Sequence, residues 1–246
     1  MGRVLILGAT SSIARAVAQE FGIHGHSLTL GGRDQRELST LASDLAIRCG
    51  VNVATLTLDV LNFADHEAAL RSWLDLEGDT LDGVVLCVGY LGDQAAAQAD
   101  FAEARQIIET NLTGCVSVLN FIANEFESRR SGFICALCSV AGDRGRQSNY
   151  LYGAAKGGLA IYLAGLRNRL SHSNVRVITV KPGFVDTAMT FGRSGLFLVA
   201  SPEHVASAVY KAIRQGKDIA YVPWFWRPIM FLIRLIPESV FKRMRL

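Results

Sequence analysis

The chain has 246 residues, half of them hydrophobic and only 19% charged. That composition excludes a disordered chain and leaves length for one α/β domain with a substantial core. A formal net charge of +3 gives no basic stripe of the kind a nucleic-acid binder carries. The strand candidates, in order, are RVLIL, SLTLG, VATLTL, GVVLCV, GFICAL, VRVITV and IAYVP. Helical stretches are predicted between them at 12–22, 35–49, 64–76, 101–127, 151–170 and 202–215. Strands that are apolar on both faces and alternate with helices predict a doubly wound parallel sheet of about seven strands, covered on both sides. No repeat, linker or low-complexity tract divides the chain. A single-domain Rossmann fold over 1–223 is expected, with 224–246 as a tail.

The cysteines are Cys49, Cys87, Cys115, Cys135 and Cys138. Their odd number, and a strand that starts almost at Met1 with no room for a signal peptide, fit a reducing, cytoplasmic setting. Cys135 and Cys138 form a C-x-x-C, but three residues apart on a strand they face opposite sides. They are expected to be buried core thiols, and no cysteine or histidine pair at ligand spacing predicts a metal. His24, His26, His66, His172 and His204 read as loop or surface residues.

In a doubly wound sheet, ligands bind beyond the carboxyl ends of the strands. After the first strand comes GATSSIA, residues Gly8, Thr10, Ser11, Ser12 and Ile13 among them. A glycine turn that opens a helix offers backbone N–H groups and the positive helix end to a phosphate. Only Gly8 is a glycine here; Ser12 is placed to cap the helix and bond phosphate. The second strand ends in Gly31–Gly32 with Arg33 next, so no carboxylate stands where a ribose 2′-hydroxyl would be bound. Arginine there favours the 2′-phosphate of NADP(H). Asp34 is expected to cap the following helix. Asp59, after the third strand, is either an acceptor for the adenine amino group or a plain strand-end cap.

The stretch NYLYGAAKGG holds Tyr150, Tyr152 and Lys156. Residues four apart share a helix face, so Tyr152 rather than Tyr150 leans on Lys156. A free phenol titrates near ~10, and ionising one near neutrality takes roughly 4 kcal/mol of anion stabilisation. One ammonium at about 4 Å supplies roughly that at an effective dielectric near ~20. Ser139 follows the fifth strand, and Asn111 breaks an otherwise ordinary helix. The Pro182–Gly183 turn follows the sixth strand.

In that order, Asn111, Ser139, Tyr152, Lys156 and Pro182–Gly183 resemble the short-chain dehydrogenase/reductase (SDR) family, over most of the chain from Gly8 to about Thr187. The resemblance implies that Tyr152 is the general acid that protonates a ketone while NADPH delivers hydride. Lys156 would also hold the nicotinamide ribose, Ser139 would polarise the substrate oxygen, and Asn111 would anchor a proton-relay water. It further implies cofactor contacts from Gly89, Val185 and Thr187. Two departures stand out: the loop glycines are reduced, and the family's Asn-Asn-Ala-Gly is here Leu86–Cys87–Val88–Gly89. A homo-oligomer, dimer or tetramer, is expected.

Residues 184–200 read as an apolar substrate lid carrying Phe184, Met189, Phe191, Leu196 and Phe197. The tail, from Trp224 through Arg245, is too short and too charged to span a membrane. It reads either as an interfacial amphipathic segment, peripheral on the inner membrane surface, or as a helix packed on the domain or a sister subunit. GATSSIA, VGYLGDQ and the YVPWFWRPIM end are similar to the SDR branch of decaprenylphosphoryl-2-keto-pentose reductases. That likeness implies a lipid-linked keto-sugar substrate made by a flavin oxidase partner. The competing expectations are an NADPH-dependent reductase of a soluble ketone with the tail as oligomer interface, and a non-catalytic NADP(H)-binding sensor.

Overall fold

A computed structural model describes residues 2–77, 81–189 and 198–244. Seven strands form one parallel sheet: β1 Arg3–Leu7, β2 Ser27–Gly32, β3 Val53–Thr57, β4 Leu81–Leu86, β5 Gly132–Leu137, β6 Val175–Pro182 and β7 Ile219–Val222. Their order is β3-β2-β1-β4-β5-β6-β7. The order reverses between β1 and β4, and the ligand crevice is expected there. Around the sheet lie α1 Ser12–Ile23, α2 Gln35–Cys49, α3 His66–Glu77, α4 Gln94–Ala99, α5 Phe101–Ile108, α6 Gly114–Arg129, α7 Tyr150–Leu170, α8 Pro202–Arg214, α9 Trp226–Leu235 and α10 Glu238–Phe241.

Alternation along each strand feeds two cores. Val4 and Ile6 of β1 join one with Phe21, Leu28 and Val209, while Leu5 and Leu7 join the other with Trp73, Phe126 and Leu163. Cys135 lies in the first core and Cys138 in the second, on opposite faces as their spacing requires. All cysteines are free, and the described residues contain no cluster fit for a metal ion.

The single helix expected over 101–127 is divided. Between α5 and α6, residues Glu109–Thr113 form a π-helical turn, and the short α4 precedes them. Asp34 caps α2 as expected, accepting from Glu37 N–H at 3.0 Å. Ser12 does not cap α1. That role falls to Ser11, whose Oγ accepts from Ala14 N–H at 3.3 Å, and Ser12 is the first helical residue. His66 also departs from expectation: it is buried, because its ring bonds the Asp59 carbonyl at 2.8 Å and Ser117 Oγ at 2.9 Å.

The tail is part of the fold. The inner face of α9 buries Trp226 and Met230 against Val140, with Phe184, Tyr221 and Ile233 packed around them. Arg144 fastens its far end. One guanidinium nitrogen donates to the carbonyls of Ile233, Arg234 and Ile236 at 3.1, 3.1 and 2.7 Å. The other donates to Glu238 at 2.8 Å, and the group lies 4.0 Å over the Phe241 ring. No helix among the described residues is long and apolar enough to cross a membrane.

Candidate active site

A cleft of about 240 Å³ opens at the carboxyl edge between β1 and β4, and Gly8, Thr10, Ser11, Arg33, Asp59 and Gly89 are among its walls. Gly8 has φ +76°, and a methyl there would meet the Cys87 and Val88 backbone at 3.1 Å. Both facts call for glycine. Its N–H and that of Ala9 donate to the Gly31 carbonyl at 2.9 and 3.0 Å, which fixes the turn. The α1 N-terminus behind it presents Ser11 and Ser12, both exposed, and so the first turn's amides face the cleft end where a phosphate would bind.

At the far end of β2, Arg33 is exposed and makes no ion pair among the described residues. Its neighbour Arg15 is committed: it bonds the Thr10 carbonyl at 3.0 Å and pairs with Glu37. Asp59 Oδ1 accepts from Leu61 N–H at 3.0 Å, and its carbonyl is held by His66, so the strand-end cap is present while the residue still lines the cleft. Gln106 and Thr110 complete one wall. Sequence reading missed Arg15, His66, Gln106 and Thr110; for His66 one partner is a backbone carbonyl seven residues back and the other lies 51 residues on, so no side-chain spacing marks it.

Tyr150 is exposed and begins α7, whereas Tyr152 is half-buried. The Tyr152 ring centre is 6.0 Å from Lys156 Nζ. Lys156 is 2% exposed; its ammonium donates to the carbonyls of Val88 at 2.9 Å and Leu137 at 3.0 Å. No carboxylate among the described residues pairs with it. Burying an ammonium without a counter-ion is costly, which makes Lys156 a candidate site residue. Two of its three hydrogens are used, which leaves one to offer a ligand. Because Val88 acts through its backbone, the altered Leu-Cys-Val-Gly segment still supports the lysine.

Asn111 is fully buried in the π-helical turn. Its Oδ1 accepts from Tyr90 N–H at 3.1 Å, and its Nδ2 donates to the carbonyls of Tyr90 and Ile107. The side chain is therefore a clamp on the backbone beyond β4. A methyl placed on Gly89 would lie 3.6 Å from Asn111 Oδ1, 3.7 Å from Lys156 Nζ and 3.7 Å from Met189 Cε. Asn111, Lys156 and Met189 thus converge on Gly89, which lines the cleft.

Ser139 begins a 3-10 turn, Val140–Gly142, and its Oγ accepts from Ala141 N–H at 3.1 Å. One acceptor lone pair is used, and the hydroxyl proton remains to be donated. The turn lies on α7 because two glycines, one helical turn apart, let it in. A methyl on Gly153 would stand 2.8 Å from the Ala141 carbonyl oxygen, and one on Gly157 would stand 2.8 Å from that of Gly142. Ser139 therefore belongs to a turn pressed onto the helix that carries Tyr152 and Lys156.

Pro182 is buried at the end of β6, and Gly183 N–H donates to the Val222 carbonyl at 2.9 Å. Val185 is buried and bridges to Ala200. Thr187 is half-buried. At the base of the expected lid, Phe184 packs edge-on against Trp226 with ring centres 5.7 Å apart. Phe191, Leu196 and Phe197 lie outside the described residues.

Residues 3–194 match the short chain dehydrogenase family. The chain belongs to that family. Over 241 residues this SDR is 35% identical to an uncharacterized oxidoreductase of Mycobacterium tuberculosis, covering 98% of this chain and 96% of the relative. Sulfoacetaldehyde reductase 2 of Chromohalobacter salexigens is 35% identical over 224 residues, 88% of this chain and 84% of the relative. A solved short-chain dehydrogenase from Sphingobium yanoikuyae, in complex with NADPH, superposes with a TM-score of 0.81. It shares 25% identity, covering 97% of this chain and 98% of that one. The chain is an SDR oxidoreductase that works with a nicotinamide cofactor.

Proposed function

We propose that this SDR is an NADPH-dependent reductase that converts a ketone to a secondary alcohol, with Tyr152 as general acid. The observation that carries the reading is the buried Lys156 ammonium, held by two carbonyls and no carboxylate, four residues after Tyr152 on one helix face. A sensor that only bound nucleotide could use this charge to hold a ribose, but it would have no need of Tyr152 and Ser139 placed with it.

The cleft fits the cofactor: Gly8 makes room for close backbone approach, the α1 N-terminus suits the pyrophosphate, and uncommitted Arg33 stands at the rim. Gly8, Thr10, Ser11, Ser12 and Ile13 would hold the phosphates, and Arg33 a 2′-phosphate. Asp59 would accept from adenine, while Gly89, Lys156, Pro182, Gly183, Val185 and Thr187 would hold the nicotinamide half. When bound, the cofactor supplies hydride to the carbonyl carbon. The chain's own residues handle the proton. Ser139 donates its free hydroxyl hydrogen to the carbonyl oxygen, and Tyr152 gives up its phenolic proton to that oxygen as negative charge develops there. The buried Lys156 ammonium stabilises the phenolate left behind, with little solvent around the cation to screen it. Asn111 keeps the segment from Gly89 to Tyr90 in place. Its π-turn is where a relay water would return a proton towards Lys156.

The substrate reading we favour is a lipid-linked keto sugar, supported by the likeness of GATSSIA, VGYLGDQ and the aromatic tail to that branch and by the tail's exposed apolar residues. A soluble ketone is the second reading, favoured if the same residues form a subunit contact in a dimer or tetramer. Tyr152→Phe tests the chemistry. NADPH oxidation with a ketone panel should fall by at least ~10³-fold, as expected when a general acid is lost together with the oxygen it grips. NADPH affinity, read by fluorescence titration, should stay within about twofold of the parent. A variant that kept its turnover would remove Tyr152 from the mechanism.

A further inference from the structure

The outer surface of the tail has chemistry the reductase reading does not use. With the inner face of α9 on the domain, Phe231, Leu232 and Leu235 remain 62–63% exposed, and Trp224 is 77% exposed. Val240 continues the apolar surface onto α10. Beside it runs a shallow groove of about 470 Å³ lined by Ile219, Tyr221, Arg227, Pro228, Phe231 and Arg234, which sets two guanidinium groups on either side of a phenylalanine.

Charge is concentrated here. Residues 224–246 contain five basic side chains and one acidic one, a balance of +4 against +3 for the whole chain; the remainder is slightly acidic. The single carboxylate, Glu238, is engaged by Arg144. That distribution decides between occupants. A second copy related by a two-fold axis would bring this surface onto itself and set its excess of like charges together. An anionic bilayer meets both halves of the pattern. Tryptophan, leucine and phenylalanine sink to the headgroup–acyl boundary, and arginines reach along their own stems to lipid phosphates.

We propose that the outer face of α9 and α10, with Trp224, seats on an anionic phospholipid surface. The inner side of the same helix covers the active-site edge: Trp226 lies so close over Gly183 that a methyl there would overlap its indole, and Met230 packs with Val140 next to Ser139. Seating the outer face therefore brings the catalytic edge to the membrane, where a lipid-borne ketone is dissolved. The surface assignment does not depend on the chemistry assigned to Tyr152.

The test is co-sedimentation of the full chain with vesicles of phosphatidylcholine alone or mixed with phosphatidylglycerol. Binding should require phosphatidylglycerol and weaken as salt is added. Arg227→Gln combined with Arg234→Gln should lower partitioning about thirty-fold, and Phe231→Ser with Leu235→Ser should abolish it. In every variant the circular dichroism spectrum and NADPH oxidation with a water-soluble ketone should be unchanged. The Tyr152→Phe chain should bind vesicles like the parent, so failure here and failure of the reductase reading can be told apart. Absence of phosphatidylglycerol-dependent binding by the parent overturns the proposal. So does light scattering that shows the Phe231/Leu235 variant dissociating an oligomer, since the face is then a subunit contact.

Discussion

Two cations of opposite circumstance stand by the cleft, Arg33 in its wall and Lys156 beside Gly89. Lys156 is buried with its charge uncompensated, whereas Arg33 is exposed and waits at the rim. In the proposed mechanism the buried ammonium would act on the phenol of Tyr152 with little solvent to screen it. Arg33 acts through shape as well as charge, since its planar fork can take two phosphate oxygens where a ribose hydroxyl offers one weak partner. Its neighbour Arg15 is tied to Thr10 and Glu37 and is less available. Arg33→Gln should therefore raise the KM for NADPH about thirty-fold, the loss of a charged hydrogen-bonding contact. The KM for NADH should move less than about twofold. Steady-state kinetics with both cofactors check this, and an equal loss for both would place the 2′-phosphate contact elsewhere.

At the scale of elements, what was legible in the sequence was whatever local spacing encodes. The α2 limits, the Asp34 cap and the Tyr152–Lys156 face all follow from intervals of one to four residues. The π-helical turn around Asn111 was not legible, because one extra residue in a helix leaves the apolar pattern on either side almost intact. Nor was the Gly153–Gly157 pair, whose purpose appears only when a turn from β5 is pressed against it. The tail shows the same limit: its apolar character was plain, but not that Arg144, about ninety residues earlier, closes the last turn of α9. Helix carbonyls at a C-terminus need donors, and Arg144 serves three at once from a mostly buried position. Arg144→Ala should cost about 3 kcal/mol, from charged hydrogen bonds and the contact with Phe241; the exposed Glu238 adds little. Hydrogen exchange should quicken across 226–241 while the sheet stays protected. Arg144→Lys should not restore protection, since a lysine lacks the fork that spans the carbonyls. Unchanged exchange in the alanine variant would refute the clamp.

At the scale of the whole molecule, the two cores on either side of the sheet hold four thiols between them. Burial pushes Cys87 up to about 12 and Cys115 up to about 11, each partly offset by the Lys156 charge. Cys138 is pushed up to about 12 for the same reason, and Cys135 is also raised by burial. In the unfolded chain such thiols titrate near ~8.5. Each folded-state value lies above the unfolded one, so between the two the native chain keeps protons that the unfolded chain has released. Stability is then fully present below about pH 8.5 and is lost as pH rises towards the folded values, by roughly 1.4 kcal/mol per pH unit for each thiol. The melting temperature should be level from about pH 7 to pH 8.5 and fall steeply from about pH 9 upward. Thiol labelling of the native chain near neutral pH should reach the half-buried Cys49 slowly and the other four only as fast as the fold opens. A melting temperature that held flat through about pH 10 would mean that these thiols ionise in place. The closed cores on which the catalytic edge is built would then admit charge, and the buried Lys156 ammonium could no longer be taken as shielded from solvent.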